Sequence, residues 1–132
     1  MSSCSKREVV TCSDAPKAIG PYSVAIATEN LVFVSGQLGI DPISGSIVEG
    51  GIQGQTRTAL TNLKSVLESA GSSLEQVVKT TVFLTDIAQF AEMNGVYAEF
   101  FTSDYPARSA IQVAALPKGG IVEVEAIAVL PS

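Results

Sequence analysis

The end of the chain, Pro106-Ala107-Arg108-Ser109 leading through Leu116-Pro117-Lys118-Gly119-Gly120 into Val122-Glu123-Val124-Glu125-Ala126-Ile127-Ala128-Val129, holds the signals that organise the rest. Two β-type runs flank a Pro/Gly turn, and local turn chemistry alone pairs them as a hairpin. Strand parity in the second run puts Ile121, Glu123, Glu125 and Ile127 on one side, and Val122, Val124, Ala126 and Ala128 on the other. The apolar side fits beneath helices. The two glutamates then share the opposite side, with side-chain bases about 7 Å apart from two residues of strand rise. Close like charges raise the pKa of at least one carboxyl where water is scarce. Taken alone, solvated edge charges that discourage sheet-to-sheet pairing are the plainer account of such a pair. A two-carboxylate glycosidase would need a sugar-sized cleft with aromatic platforms, and the chain has no Trp.

Arg108 is more informative. A guanidinium at the start of a strand in apolar surroundings suits a carboxylate held through two parallel hydrogen bonds. Its plainer role is an ion pair with Glu123 or Glu125, and a pair that opens to a ligand would satisfy both readings.

Working outward, Gln55 to Ala70 carries Ala59, Leu60, Leu63, Val66, Leu67 and Ala70 at helical spacing, with Gly71 placed to cap the C-terminus. Val77 to Thr85 is rich in β-branched residues and reads as a central strand. Asp86 can cap a second helix, with Gln89 placed as in a capping box, whose periodic face is Ile87, Phe90, Met93, Val96, Tyr97, Phe100 and Phe101. Asn94-Gly95 interrupts it, and a helical glycine costs about 1 kcal/mol relative to Ala, which points to close packing or a ligand.

Nearer the start, Tyr22–Ala27 and Leu31–Ser35, joined by Thr28-Glu29-Asn30, read as a hairpin, preceded by a short β-type run from Glu8 to Cys12. Gly36, Gly39, Gly45, Gly50, Gly51 and Gly54 mark loops; they form neither GxGxxG nor a GK[ST] cradle for phosphate. Met1 to Glu8 reads as a flexible tail, and 9–132 as a single domain. Right-handed crossovers put both helices on one face of a mixed sheet, an α+β arrangement whose bare face must meet water or another subunit.

Composition narrows the chemistry. Among 132 residues, 46% are hydrophobic and 16% charged, a sparsely charged balance that favours burial between subunits. Eight Lys and Arg against 13 Asp and Glu give a formal charge of −5, which repels a phosphate backbone, so no nucleic-acid partner is expected. There is no histidine, so Ser-His-Asp and Cys-His catalysis and imidazole metal sites are excluded. Cys4 and Cys12 lack CxxC spacing and suggest neither zinc nor a disulfide framework, which fits a reducing, cytoplasmic setting. No apolar run approaches the roughly 20 residues needed to cross a bilayer, so no membrane partner is expected.

The order and wording of several stretches resemble the RidA/YjgF/UK114 family of reactive intermediate deaminases. These are Ile19-Gly20-Pro21-Tyr22, Val34-Ser35-Gly36-Gln37, Val78-Lys79-Thr80-Thr81-Val82-Phe83, Met93-Asn94, Tyr97-Ala98-Glu99-Phe100-Phe101, Pro106-Ala107-Arg108-Ser109, Leu116-Pro117-Lys118-Gly119 and Val122 to Ala128. They span nearly the whole chain after the first dozen residues.

The resemblance implies a chorismate mutase-like fold, with the last strand inserted between others and three sheets packed into a central barrel as a homotrimer. It implies hydrolysis of enamine and imine intermediates, such as 2-aminoacrylate, to 2-keto acids and ammonia in a cleft between subunits, with no cofactor and no metal. Arg108 would bind the substrate carboxylate and Glu123 would orient or activate water. Tyr22, Ser35, Gly36 and Asn94 would line the pocket, with Ala110 a further substrate-binding position. Ala110 stands where many relatives carry cysteine, so thiol chemistry is excluded there. A non-catalytic small-carboxylate binding or regulatory module using the same cleft is the alternative. Ribonuclease or translation inhibition, also attached to the family, has the negative charge and the missing histidine against it.

Overall fold

The computed structural model describes residues 6–131. Strands β1 (Glu8–Val10), β2 (Ala25–Ala27) and β3 (Leu31–Leu38) are followed by helix α1 (Gly51–Ser69), β4 (Val77–Leu84), α2 (Phe90–Phe100), β5 (Ala107–Gln112) and β6 (Val122–Val129). The strands form one mixed sheet in the order β1-β2-β3-β6-β4-β5. Glu8, assigned to the tail by sequence, already pairs with Ala27; the rest of that tail up to residue 5 lies outside the described residues.

The terminal strands are not a hairpin. β6 lies antiparallel between β3 and β4, whereas β5 runs parallel to β4 at the sheet edge. The reason is burial: Val122, Val124 and Ala128 are fully buried under the helices, a gain that the middle of the sheet supplies and its edge does not. Pro117–Gly119 forms a short 3-10 turn, with Lys118 at φ 58° and Gly119 at φ 72°, that returns the chain to the sheet centre. The hairpin of β2 and β3 is present, with Ile26 opposite Phe33.

α1 begins at Gly51, so Gly51 and Gly54 belong to its first turns and not to the loop that their type suggests. At the other end Gly71, at φ 89°, lets the Ser72 N–H reach the Leu67 carbonyl at 2.8 Å, the C-terminal closure expected of a glycine there. Asp86 accepts from the Ala88 N–H at 3.0 Å, but it caps a 3-10 turn, and α2 proper starts at Phe90. α1 buries Leu60, Leu63, Val66 and Leu67, and α2 buries Met93, Val96 and Tyr97, against one face of the sheet. Asn62, buried in α1, donates to the carbonyls of Leu38 and Ile40, at 3.3 and 2.9 Å, and so fixes the chain as it leaves β3.

Among the described residues, no helix covers the opposite face. Register aligns Val9, Ile26, Phe33, Ile127, Lys79 and Ala107 in one row across the strands. Val9 is 60% exposed and Phe33 41%, and Ile111 on β5 adds to this apolar surface. Glu123 and Glu125 stand on the same face, opposite Phe83 and Thr81 of β4.

Candidate functional site

Two clusters hold all the residues singled out by sequence, and a single chain does not join them. The first sits where β3 ends and β6 begins. The ladder between them shifts register between Val34 and Gln37, leaving Ser35 and Gly36 in an irregular stretch inside β3, although sequence placed them at the strand's end. Glu123 fills the space that Gly36 leaves. A Cβ on Gly36 would lie 2.6 Å from the Glu123 carboxyl carbon, far inside contact distance.

Around this pair, the Ser35 hydroxyl donates to the Ser23 carbonyl at 2.6 Å, and buried Gln37 donates to the Ser35 carbonyl at 3.2 Å. Tyr22 stands exposed, its hydroxyl accepting from the Ile19 N–H at 3.3 Å. Tyr22, Ser35, Gly36 and Glu123 line a cavity of about 590 Å³ whose further walls include Leu38, Ile40 and Lys118. Burial raises the Glu123 carboxyl above the usual glutamate range, and the charge of Glu125 on the same face pushes the same way. A carboxylate so placed can accept a proton from water.

Gly36→Ala is therefore expected to fold and yet to lose function, because the added methyl displaces the Glu123 carboxyl and not the core. A fall of about tenfold or more in turnover with little change in melting temperature is the predicted result, given the sensitivity of catalysis to displacements of about 1 Å. Wild-type turnover in the variant would show that the carboxyl position is immaterial.

The second cluster lies between α2 and β5. The Arg108 guanidinium donates to the Asn94 side-chain oxygen at 2.7 Å, with its central carbon 4.7 Å from the Tyr97 ring centre and 5.2 Å from that of Phe90. The Tyr97 hydroxyl bonds with that of buried Thr80 at 2.9 Å. Ala110 follows on the same face of β5, half-buried against the core opposite Val82.

Register explains the division. Arg108 pairs with Thr80, whose side chain faces the helices, while Glu123 pairs with Phe83 on the bare face. Two strand spacings and three residues of rise separate their backbones by about 14 Å. The intrachain ion pair of Arg108 with Glu123 or Glu125 does not form; the neutral Asn94 takes that place. Asn94 thus turns toward Arg108, and Gly95 beside it meets open space, so packing within the chain does not account for that glycine.

Phe90 and Tyr97 were read from sequence only as core-facing residues. Their spacing held the missing signal, since Phe90, Asn94 and Tyr97 stand at i, i+4 and i+7 on one face of α2. A polar residue between two aromatics on a buried face marks a place where a cation can be held.

Residues 12–130 match the family model described as Endoribonuclease L-PSP. A Bos taurus protein named 2-iminobutanoate/2-iminopropanoate deaminase is 51% identical over 93% of this chain and 90% of its own length. The Homo sapiens protein of that name is 47% identical over 93% and 90%. Among solved structures, a yeast protein, YEO7, superposes with a TM-score of 0.92 at 45% identity, covering 96% of this chain and all of its own. E. coli TdcF with bound serine superposes with a TM-score of 0.90 at 42% identity, covering 94% and 99%.

Proposed function

The chain belongs to the RidA/YjgF family, whose model carries the description Endoribonuclease L-PSP, and from that premise we propose that it hydrolyses small 2-imino and enamine acids to 2-keto acids and ammonia. The observation that carries this reading is the pairing of two incomplete, complementary half-sites: a guanidinium held in one, and a carboxyl with raised pKa beside a cavity in the other. Since they lie on opposite faces of one sheet, a working site takes Arg108 and Asn94 from one copy and Tyr22, Ser35, Gly36 and Glu123 from another. The apolar row on the bare face supports packing of copies there, as a homotrimer with those faces turned inward.

In the proposed reaction, 2-aminoacrylate takes a proton at its methylene carbon and becomes the 2-iminium acid. Arg108 holds the carboxylate through guanidinium donors not used by Asn94. Glu123 removes a proton from water as the oxygen bonds to the iminium carbon, giving the carbinolamine. That proton passes to nitrogen, the carbinolamine hydroxyl gives up its proton as the C–N bond breaks and so returns the one taken up at carbon, and pyruvate and ammonia leave. The sum is one enamine and one water in, one keto acid and one ammonia out. The residues invoked need neither cofactor nor metal, because the iminium is itself electrophilic. Ala110 takes no part in proton transfer and shapes the floor beside Arg108. No helix among the described residues is long and apolar enough to cross a membrane, and the site of action proposed is the cytoplasm.

The bound serine in the TdcF structure favours a second reading, a small-carboxylate binding module without turnover. The deciding experiment generates 2-aminoacrylate in situ and follows its decay and the release of ammonia. Accelerated decay with stoichiometric keto acid supports the deaminase. No acceleration, with 2-oxobutanoate still bound in an Arg108-dependent way, supports the binding module. The family description also raises RNA cleavage, against which stand the charge of −5 and the absence of histidine.

A further inference from the structure

We propose that Tyr97 and Phe90 are positioning residues for Arg108, forming an aromatic cradle that fixes the guanidinium plane while leaving its N–H donors free for a substrate carboxylate. The inference rests on the carboxylate-binding role given to Arg108 above. It begins from the number of partners: a guanidinium has five N–H donors, and the side-chain hydrogen bond observed uses one of them, to Asn94. A carboxylate in the cradle's place would also hold the cation, but it would occupy the parallel donors that a bidentate ligand needs. Ring faces attract the cation without accepting those bonds.

The cradle is itself braced. Tyr97 is 6% exposed, its hydroxyl is bonded to Thr80 on β4, and its ring lies 4.6 Å from that of Phe101. Thr80 is the residue directly opposite Arg108 in the ladder, so one strand position sets both the guanidinium's backbone and the ring beneath it. The helix adds the second ring and the amide oxygen at fixed spacing. Tyr97 therefore has two separable features, a hydroxyl that braces the fold and a ring face that orients Arg108.

That separation provides the test. Binding of 2-oxobutanoate is measured by calorimetry, and melting temperature recorded, for wild type and for Arg108→Ala, Tyr97→Phe, Tyr97→Leu and Phe90→Leu. Tyr97→Phe removes the brace and keeps the face; it is expected to lower melting temperature while affinity stays within about twofold. Tyr97→Leu and Phe90→Leu are expected to weaken binding about five- to tenfold each, with KM for the imine raised more than kcat is lowered. Phe90, only half-buried, serves where Tyr97→Leu folds poorly. Affinity that follows melting temperature across the set, or that is unchanged in Phe90→Leu while Arg108→Ala abolishes binding, overturns the cradle and leaves the role of Arg108 intact. Normal binding by Arg108→Ala overturns both.

Discussion

Arg108→Ala is expected to lower kcat/KM for imine hydrolysis by about 10²–10³-fold, the loss of a pair of charge-assisted hydrogen bonds worth about 3–4 kcal/mol together. Its guanidinium lies over the rings of Phe90 and Tyr97, so a fall of a few degrees in melting temperature accompanies the loss, too small to account for it. Asn94 loses its 2.7 Å partner, but its amide can turn to water. Arg108→Lys should recover only part of the activity, because an ammonium supplies a charge without the planar fork. Steady-state assays with 2-aminoacrylate and 2-iminobutanoate check both variants. Equal losses for acids and for a neutral imine lacking the carboxylate would contradict the assignment, since the neutral substrate offers Arg108 nothing to hold.

Glu123→Gln should cost about 10²–10⁴-fold in kcat, the usual contribution of a general base, while binding of the keto acid changes little. The pH profile separates this from a loss of shape. A base must be ionised to act, so activity falls as pH drops through the Glu123 pKa; burial and, after it, the neighbouring charge of Glu125 place that limb above the ordinary glutamate range. Glu125→Gln removes the like charge and should shift the limb to lower pH without abolishing turnover. Residual activity of Glu123→Gln should lack the limb. A limb that survives in Glu123→Gln assigns the titration to another group.

Strand parity in 122–129 and the helical periodicity of 55–70 were legible from sequence because each depends on local burial. Parity correctly put Glu123 and Glu125 on the face that the helices leave bare. The position of β6 was not legible from the same residues. The Pro117-Lys118-Gly119-Gly120 turn is a strong local signal, but partner choice depends on how much apolar surface each sheet position buries, a property of the whole molecule. Family resemblance supplied the insertion that the pattern could not.

The candidate residues were also legible, but their grouping was not. Arg108 and Glu123 are close in sequence and both lie in strands near the chain's end, which suggested an ion pair. Two strand spacings and opposite parity separate them, and only the ladder register reveals it. Gly36 looked like a strand end for a related reason: the irregular register that makes room for the Glu123 carboxyl is invisible to period-two reading.

The most direct test of a site shared between copies mixes two inactive subunits. Arg108→Ala and Glu123→Gln chains carrying different tags are co-expressed, species containing both are isolated, and imine hydrolysis is measured. In a trimer containing both chains, one interface in three pairs an intact Arg108 with an intact Glu123, whichever chain is present twice, so activity should return to about a third of wild type. Mixed oligomers no more active than either parent would contradict the shared site.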